Sequence, residues 1–171
     1  MDGCLTNLQT LVVDKCPHLT SLSLSILTTL EILIIRDCRE LSLTEGENNQ
    51  DLNLRLRKLQ MVNLQKMVVL PQWLQGSANT LQHLKIEDCA NFATLPEWLP
   101  SLTALQTLEI PNCPNLSSLP EGMQSLTVLR ELTIEDCPEL IRKCRQEDHW
   151  KIAYVPQINL NVDKQVWAPK I

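Results

Sequence analysis

Glycine and aromatic residues are scarce in this 171-residue chain, which contains four glycines, one phenylalanine and one tyrosine. A loop that cradles phosphate groups needs several glycines, because its backbone must approach the ligand closely. Neither the P-loop motif nor the Gly-x-Ser-x-Gly motif of serine hydrolases occurs. We therefore expect that the chain is not an enzyme and that it holds no cofactor.

A surplus of basic residues is also absent, because the chain has 15 lysines and arginines but 20 aspartates and glutamates. Nucleic-acid and anionic-membrane binders carry basic patches that neutralise phosphate groups. Apolar runs such as 67–70 are far shorter than the roughly 20 residues that cross a bilayer, and residues 1–11 do not form a secretory signal. We expect no nucleic-acid partner, no membrane contact, and a cytoplasmic location with possible access to the nucleus.

Leucine, in contrast, is abundant, with 32 copies that recur in a fixed block. Two leucines three residues apart are followed by L-x-[VI]-x-x-C, as in Leu5, Leu8, Leu11, Val13 and Cys16. The six copies cover 5–16, 27–38, 56–67, 78–89, 102–113 and 126–137. Their spacings of 22, 29, 22, 24 and 24 residues are typical of leucine-rich repeats, and the long interval contains an acidic insert at 44–53.

The repeat predicts an α/β solenoid, a leucine-rich-repeat horseshoe with a parallel β-sheet on its concave face. In L-x-[VI] the two apolar residues point to the same side of a short strand, and only stacked repeats bury them. Leu-Pro pairs at 70–71, 95–96 and 119–120 begin three return segments. Because proline is tolerated at the first helical position, these segments predict short helical or 3₁₀ turns on the convex side.

Five of the seven cysteines occupy one repeat position, where leucine-rich repeats place asparagine or cysteine. Buried free thiols behave as small apolar groups. A linear ladder of cysteines does not converge on a point, as zinc ligands must, so no metal site is expected. The odd cysteine count argues against a disulfide framework, and Met67 is assigned to the cysteine position of the third repeat.

Side chains that flank the inward pair are predicted to line the concave face, which solenoids use to bind partners. An apolar end at Val12 and Ile34 and an acidic end at Glu87 and Glu135 predict a protein-binding surface, although a solvated face with no partner remains the alternative. The candidate binding residues are Val12, Asp14, Ile34, Arg36, Asn63, Gln65, Lys85, Glu87, Glu109, Thr133 and Glu135.

The repeat pattern fails after residue 140, so we divide the chain into repeats at 1–140 and a C-terminal cap and tail at 141–171. A helix is predicted over 141–152 and a last strand over 155–162, with a loose tail from residue 163. Trp150, Ile152 and Tyr154 are expected to cover the end of the core, because a solenoid needs a cap. No equivalent cap precedes the first repeat, which suggests further protein before it.

The runs CPNLSSLPEGM at 113–123 and LTIEDCPEL at 132–140 resemble the C-terminal repeats of plant intracellular nucleotide-binding, leucine-rich-repeat immune receptors. The ending CRQEDHWKIAYVPQI at 144–158 resembles the terminal C-x-x-x-x-x-W-x-K-I-x-H-I-P-x-I segment of their coiled-coil class, with Lys151 directly after Trp150 and Tyr154 where histidine is common. The resemblance implies a role in disease resistance, in which the repeats recognise pathogen effectors or restrain the receptor's nucleotide switch. The partner would then be an effector or the receptor's own nucleotide-binding domain.

Two other readings of the repeat remain open. A free-standing leucine-rich-repeat scaffold or adaptor would assemble a signalling complex, but it would need both ends capped. An F-box-type substrate adaptor also carries cysteine-containing repeats, but such repeats lack the Leu-Pro pairs and usually contain a second cysteine.

Overall fold

The computed structural model describes residues 7–43, 52 and 54–162, which form one open parallel sheet with seven strands in sequential order. The strands are β1 (Thr10–Asp14), β2 (Ile32–Arg36), β3 (Lys58–Val62), β4 (His83–Glu87), β5 (Thr107–Pro111), β6 (Glu131–Glu135) and β7 (Gln157–Asn161). The predicted leucine-rich-repeat solenoid is thereby confirmed.

From the second repeat to the sixth, each repeat buries the two apolar residues of its strand on the same side of the sheet, whereas Leu11 and Val13 of the first repeat are partly buried. Leu33 of β2 pairs with Leu59 of β3, and this row continues through the other strands, with a second row that includes Ile35 and Met61. These four side chains are fully buried, whereas the residues between them remain partly accessible. Burying one such side chain stabilises the fold by about 1.5–3 kcal/mol, so neighbouring repeats depend on one another.

The three Leu-Pro segments lead into 3₁₀ turns, as predicted, at Gln72–Ser77, Leu99–Ser101 and Met123–Ser125. Trp73, Leu74, Leu99 and Met123 pack into the core from this convex side. Gly76 packs so closely against the carbonyl oxygen of Leu52 that a Cβ would clash with it. Leu52 therefore lies directly against the 3₁₀ turn Gln72–Ser77. Apart from Leu52, the predicted insert at 44–53 lies outside the described residues.

The register of the third repeat differs from the prediction by three residues. In the parallel pairing, Leu33 lies opposite Leu59 and Ile35 lies opposite Met61, so Leu64 and not Met67 takes the cysteine position. Leu56, Leu59, Met61 and Leu64 are all fully buried. The repeat spacings thus become 26 and 25 residues on either side of β3, in place of 29 and 22.

The cysteine ladder lies inside the fold, where its thiols bond to strand carbonyl groups. Cys137 donates to the carbonyl oxygens of Ile110 and Glu135, both at 3.3 Å, and its sulfur accepts from the backbone N–H of Cys113. Four of the five ladder cysteines are buried and Cys16 is partly accessible. All six cysteines among the described residues are free thiols, and Cys4 lies outside them.

Alkaline pH is expected to destabilise the fold through buried thiols of the ladder and through Cys144, which is buried after the last repeat. Burial raises the pKa of Cys137 to about 11 and that of Cys144 to about 12, and burial also raises the pKa of Cys38. A group whose folded pKa is raised stabilises the fold fully below its unfolded pKa and ceases to do so as the pH rises to the folded value. Between roughly pH 8.5 and their folded pKa values, Cys137 and Cys144 should therefore each reduce stability by up to about 1.4 kcal/mol per pH unit, and Cys38 should act in the same direction.

Urea unfolding between pH 7 and 11 measures this effect directly. Stability should stay nearly constant up to about pH 8 and then decrease, and a Cys144→Ala variant should show a shallower decrease than the unmodified chain. A constant free energy of unfolding up to pH 11 would contradict the effect of burial on the pKa values of these thiols.

The C-terminal segment forms two helices and a last strand. Helix α1 (Pro138–Gln146) is separated from α2 (His149–Ile152) at Glu147 and Asp148, whereas a single helix over 141–152 was predicted. The break follows from Lys143, whose carbonyl oxygen accepts hydrogen bonds from the backbone N–H groups of both Glu147 and Asp148 and so ends α1. The predicted last strand is present as β7, which pairs with β6.

Two of the three residues expected to cover the core do so. Ile152 is fully buried, and Tyr154 packs against the core while its hydroxyl donates to the carbonyl oxygen of Met123 at 2.6 Å. The prediction is wrong for Trp150, which is 56 % exposed, because α2 turns this side chain to solvent and its neighbour Lys151 inward. The predicted loose tail from residue 163 lies outside the described residues.

Candidate functional site

The concave face is the side of the sheet turned away from the core, and three side-chain columns form it on β1 to β6. The first column contains Thr10, Ile32, Lys58, His83, Thr107 and Glu131; the second contains Val12, Ile34, Gln60, Lys85, Glu109 and Thr133; the third contains Asp14, Arg36, Val62, Glu87, Pro111 and Glu135. Parallel pairing places the members of a column on adjacent strands, roughly 4.8 Å apart. Nine of the eleven candidate residues lie on this face.

The other two candidates, Asn63 and Gln65, do not lie on the strand, because the third repeat was assigned three residues too late. Gln60 and Val62 take the places predicted for them, opposite Ile34 and Arg36. An odd shift along a strand exchanges its two faces, so Val62 points to the concave side and not to the core.

Asn63 belongs instead to a row of turn residues at the ends of the strands. It has a φ of 53°, and Lys15, Asp37, Asp88, Asn112 and Asp136 share this left-handed conformation. Asparagine and aspartate adopt it more readily than most residues, because their short polar side chains bond locally. The Asn63 side chain donates a hydrogen bond to the carboxylate of Asp37 at 2.7 Å. It therefore links two neighbouring turns and does not extend over the concave face. Gln65 is exposed beyond this turn, and its carbonyl oxygen accepts from Asn91.

Charged side chains interact across the centre of the concave face. Lys85 Nζ lies 2.7 Å from Glu87 Oε2 and 4.0 Å from Glu109 Oε2. The hydrogen bond with Glu87 raises the pKa of Lys85. Lys85 and Glu109 border a shallow depression of about 220 Å³ that Lys58, Gln60 and His83 also line.

Four aliphatic side chains lie close together in the first half of the face, where Val12 and Ile34 had been predicted to form an apolar end. Val12 is 47 % exposed and lies beside Ile34, while Ile32 and Val62 extend the area along β2 and onto β3. These four residues are called the aliphatic patch below. The sequence analysis did not include Ile32 and Val62 among the candidate residues. Ile32 could have been found, because it lies two residues before Ile34 on the same strand, whereas Val62 is identified only by the register of β3.

Acidic residues cover the second half of the face. Glu87 on β4, Glu109 on β5, and Glu131 and Glu135 on β6 are called the glutamate patch below. Glu131 was missed, although it has the same alternation as Glu135 on its strand. The patch is open to solvent, since the Glu87 and Glu109 side chains are 32 % and 40 % exposed.

The chemistry available on this face is that of a surface and not of an enclosed cleft. Among residues 7–43, 52 and 54–162, no group of three or more histidine, cysteine, aspartate or glutamate side chains could hold a metal ion. No helix in that part of the chain is long and apolar enough to cross a bilayer.

Stacked leucine-rich strands with an open polar and aliphatic face define a leucine-rich-repeat protein, a class whose fold serves protein–protein interaction rather than catalysis. The family model described as plant disease resistance protein RPS2-like, leucine-rich repeats, matches residues 1–138, and the chain belongs to that family. No curated protein matches the chain. The family gives the repeats a protein-interaction role in plant disease resistance.

Proposed function

We propose that the chain is the recognition region of an intracellular plant immune receptor, where it binds a pathogen effector or restrains the receptor's nucleotide switch until an effector arrives. The observation that carries this proposal is the concave face, on which aliphatic and glutamate patches lie side by side within a resistance-protein repeat. Solvent-accessible aliphatic residues that cluster on a folded surface mark sites of protein contact.

The proposal places the partner, a protein, in the cytoplasm or nucleus and requires no cofactor from this chain. Six free thiols among the described residues suit a reducing compartment, because disulfides persist mainly in oxidising ones. A nucleic-acid partner is not proposed, since the acidic residues exceed the basic residues in number.

A double substitution in the source plant, Val12→Asp with Ile34→Asp, tests the proposal. The two carboxylates would place charge in the aliphatic patch, which should disrupt apolar contact with a partner. Restraint predicts spontaneous leaf cell death in unchallenged plants, because the switch is released. Recognition predicts instead that the plant loses resistance to a pathogen that it normally resists, because a central contact with the effector is lost.

The matched control is Val128→Asp, because Val128 is 41 % exposed but lies outside the sheet, between the 3₁₀ turn Met123–Ser125 and β6. Immunoblots establish that each variant accumulates to the normal amount. If the double variant, present in normal amount, neither causes cell death nor alters resistance, the proposed use of the concave face is wrong.

A further inference from the structure

The two halves of the concave face differ in chemistry. Among the nine positions on β1 to β3, four are the aliphatic residues of the aliphatic patch. Among the nine positions on β4 to β6, none is leucine, isoleucine or valine, and four are the glutamates of the glutamate patch. A partner that covers both halves must therefore change in character along its length.

Strand formation explains the aliphatic patch more easily than the glutamate patch. Valine and isoleucine favour strands, whereas glutamate is depleted in them, and like charges on neighbouring strands repel. Lys85 is the single lysine or arginine among the nine positions on β4 to β6, and it bonds to Glu87. The second half therefore has an excess negative charge that the sheet itself does not require.

The spacing of the patches sets the dimensions of a matching segment. Three strand spacings separate β2 from β5, a distance of about 14 Å. An extended polypeptide advances about 3.3 Å per residue. Four or five residues therefore bridge the centres of the aliphatic and glutamate patches.

We infer that the concave face binds a polypeptide segment that crosses the strands, with aliphatic side chains on the aliphatic patch and lysine or arginine side chains, four or five residues away, on the glutamate patch. This inference rests on the proposed function and specifies its partner. Apolar burial supplies contact on β1 to β3, and opposite charge fixes the position and direction of the segment on β4 to β6.

Selection of random twelve-residue peptides from a phage-displayed library on the intact chain tests the inference. Selected peptides should carry leucine, isoleucine or valine four or five positions from lysine or arginine, and few acidic residues. Affinity of a synthetic peptide with the selected sequence should fall by about tenfold for Ile34→Asp and for the pair Glu109→Lys with Glu135→Lys, since each removes one kind of complementarity. Added salt should weaken binding to the unmodified chain more than to the charge-reversed chain.

Two control variants carry equivalent changes away from the concave face. Val128→Asp and Glu97→Lys, both at exposed positions outside the sheet, should leave peptide affinity within about twofold of the original. Circular dichroism of every variant establishes that the fold is retained. Peptides that lack the spacing of aliphatic and basic residues, or that bind the Ile34→Asp and charge-reversed chains normally, would overturn the inference.

This result is distinguishable from a failure of the proposed function. If the Val12→Asp and Ile34→Asp plants lose resistance or die spontaneously while selected peptides lack basic residues, the face is used but the partner's chemistry is different. If the plants are normal while the peptides match, the face binds such segments but the chain does not use it for recognition or restraint.

Discussion

Replacing Lys151 by methionine is expected to lower the free energy of unfolding by about 2 kcal/mol, because it removes the hydrogen bonds of a buried ammonium group. Lys151 is 5 % exposed in the C-terminal cap. Its ammonium group lies 2.8 Å from Glu121 Oε1 and 3.1 Å from Asp148 Oδ1, and it donates to the carbonyl oxygen of Leu119 at 3.3 Å. It thus joins the cap to the last return segment of the repeats.

Methionine keeps most of the apolar stem of lysine. The decrease in the free energy of unfolding therefore measures the loss of the charge and its hydrogen bonds, and not the effect of a cavity. The variant leaves the Asp148 carboxylate, which is 15 % exposed, without its lysine partner. Urea unfolding gives the free-energy change, and hydrogen exchange should show the loss of protection first at α2 and β7.

The matched control is Lys143→Met on α1, where the side chain is only partly buried. This change should cost less than about 0.5 kcal/mol. Equal stabilities for the Lys151 and Lys143 variants would contradict the role assigned to the buried lysine.

Truncation of Phe92 to alanine is expected to cost about 3–5 kcal/mol, the range for removing a buried aromatic ring. Phe92 is the only phenylalanine of the chain and is fully buried three residues after Cys89. Leu41 and Leu116 occupy the same place relative to Cys38 and Cys113, where backbone bonds repeat the same turn. The ring therefore fills a position that leucine fills in other repeats.

Phe92→Leu serves as the control and should cost about 1 kcal/mol, because it keeps an apolar side chain of roughly similar volume. Each repeat contacts its neighbours, so hydrogen exchange in Phe92→Ala should increase most in the repeats that contain β3, β4 and β5. An alanine variant as stable as the leucine variant would contradict the prediction, because it would mean that the neighbouring side chains fill the space of the ring.

The candidate surface was predictable wherever the repeat was regular. The five cysteines fix the register of five repeats, and within them every candidate residue lies on the concave face as predicted. The third repeat has no cysteine, and its apolar residues fit two assignments, one through Leu59 and Met61 and another through Val62 and Leu64. The spacing of apolar residues does not distinguish these two assignments, because each of them buries apolar side chains.

The amino-acid sequence by itself determined the solenoid, the parallel strands, the buried cysteine ladder and the 3₁₀ turns of the convex side. These features follow from the regular spacing of apolar residues and from the preference of proline for the first position of a helical turn, and both are visible in the sequence. Only the tertiary structure decided the register of β3, the aliphatic patch that this register completes, the division of the cap into α1 and α2, and the inward turn of Lys151. Those outcomes depend on hydrogen bonds and packing between residues of different repeats, which a pattern read along one chain does not contain.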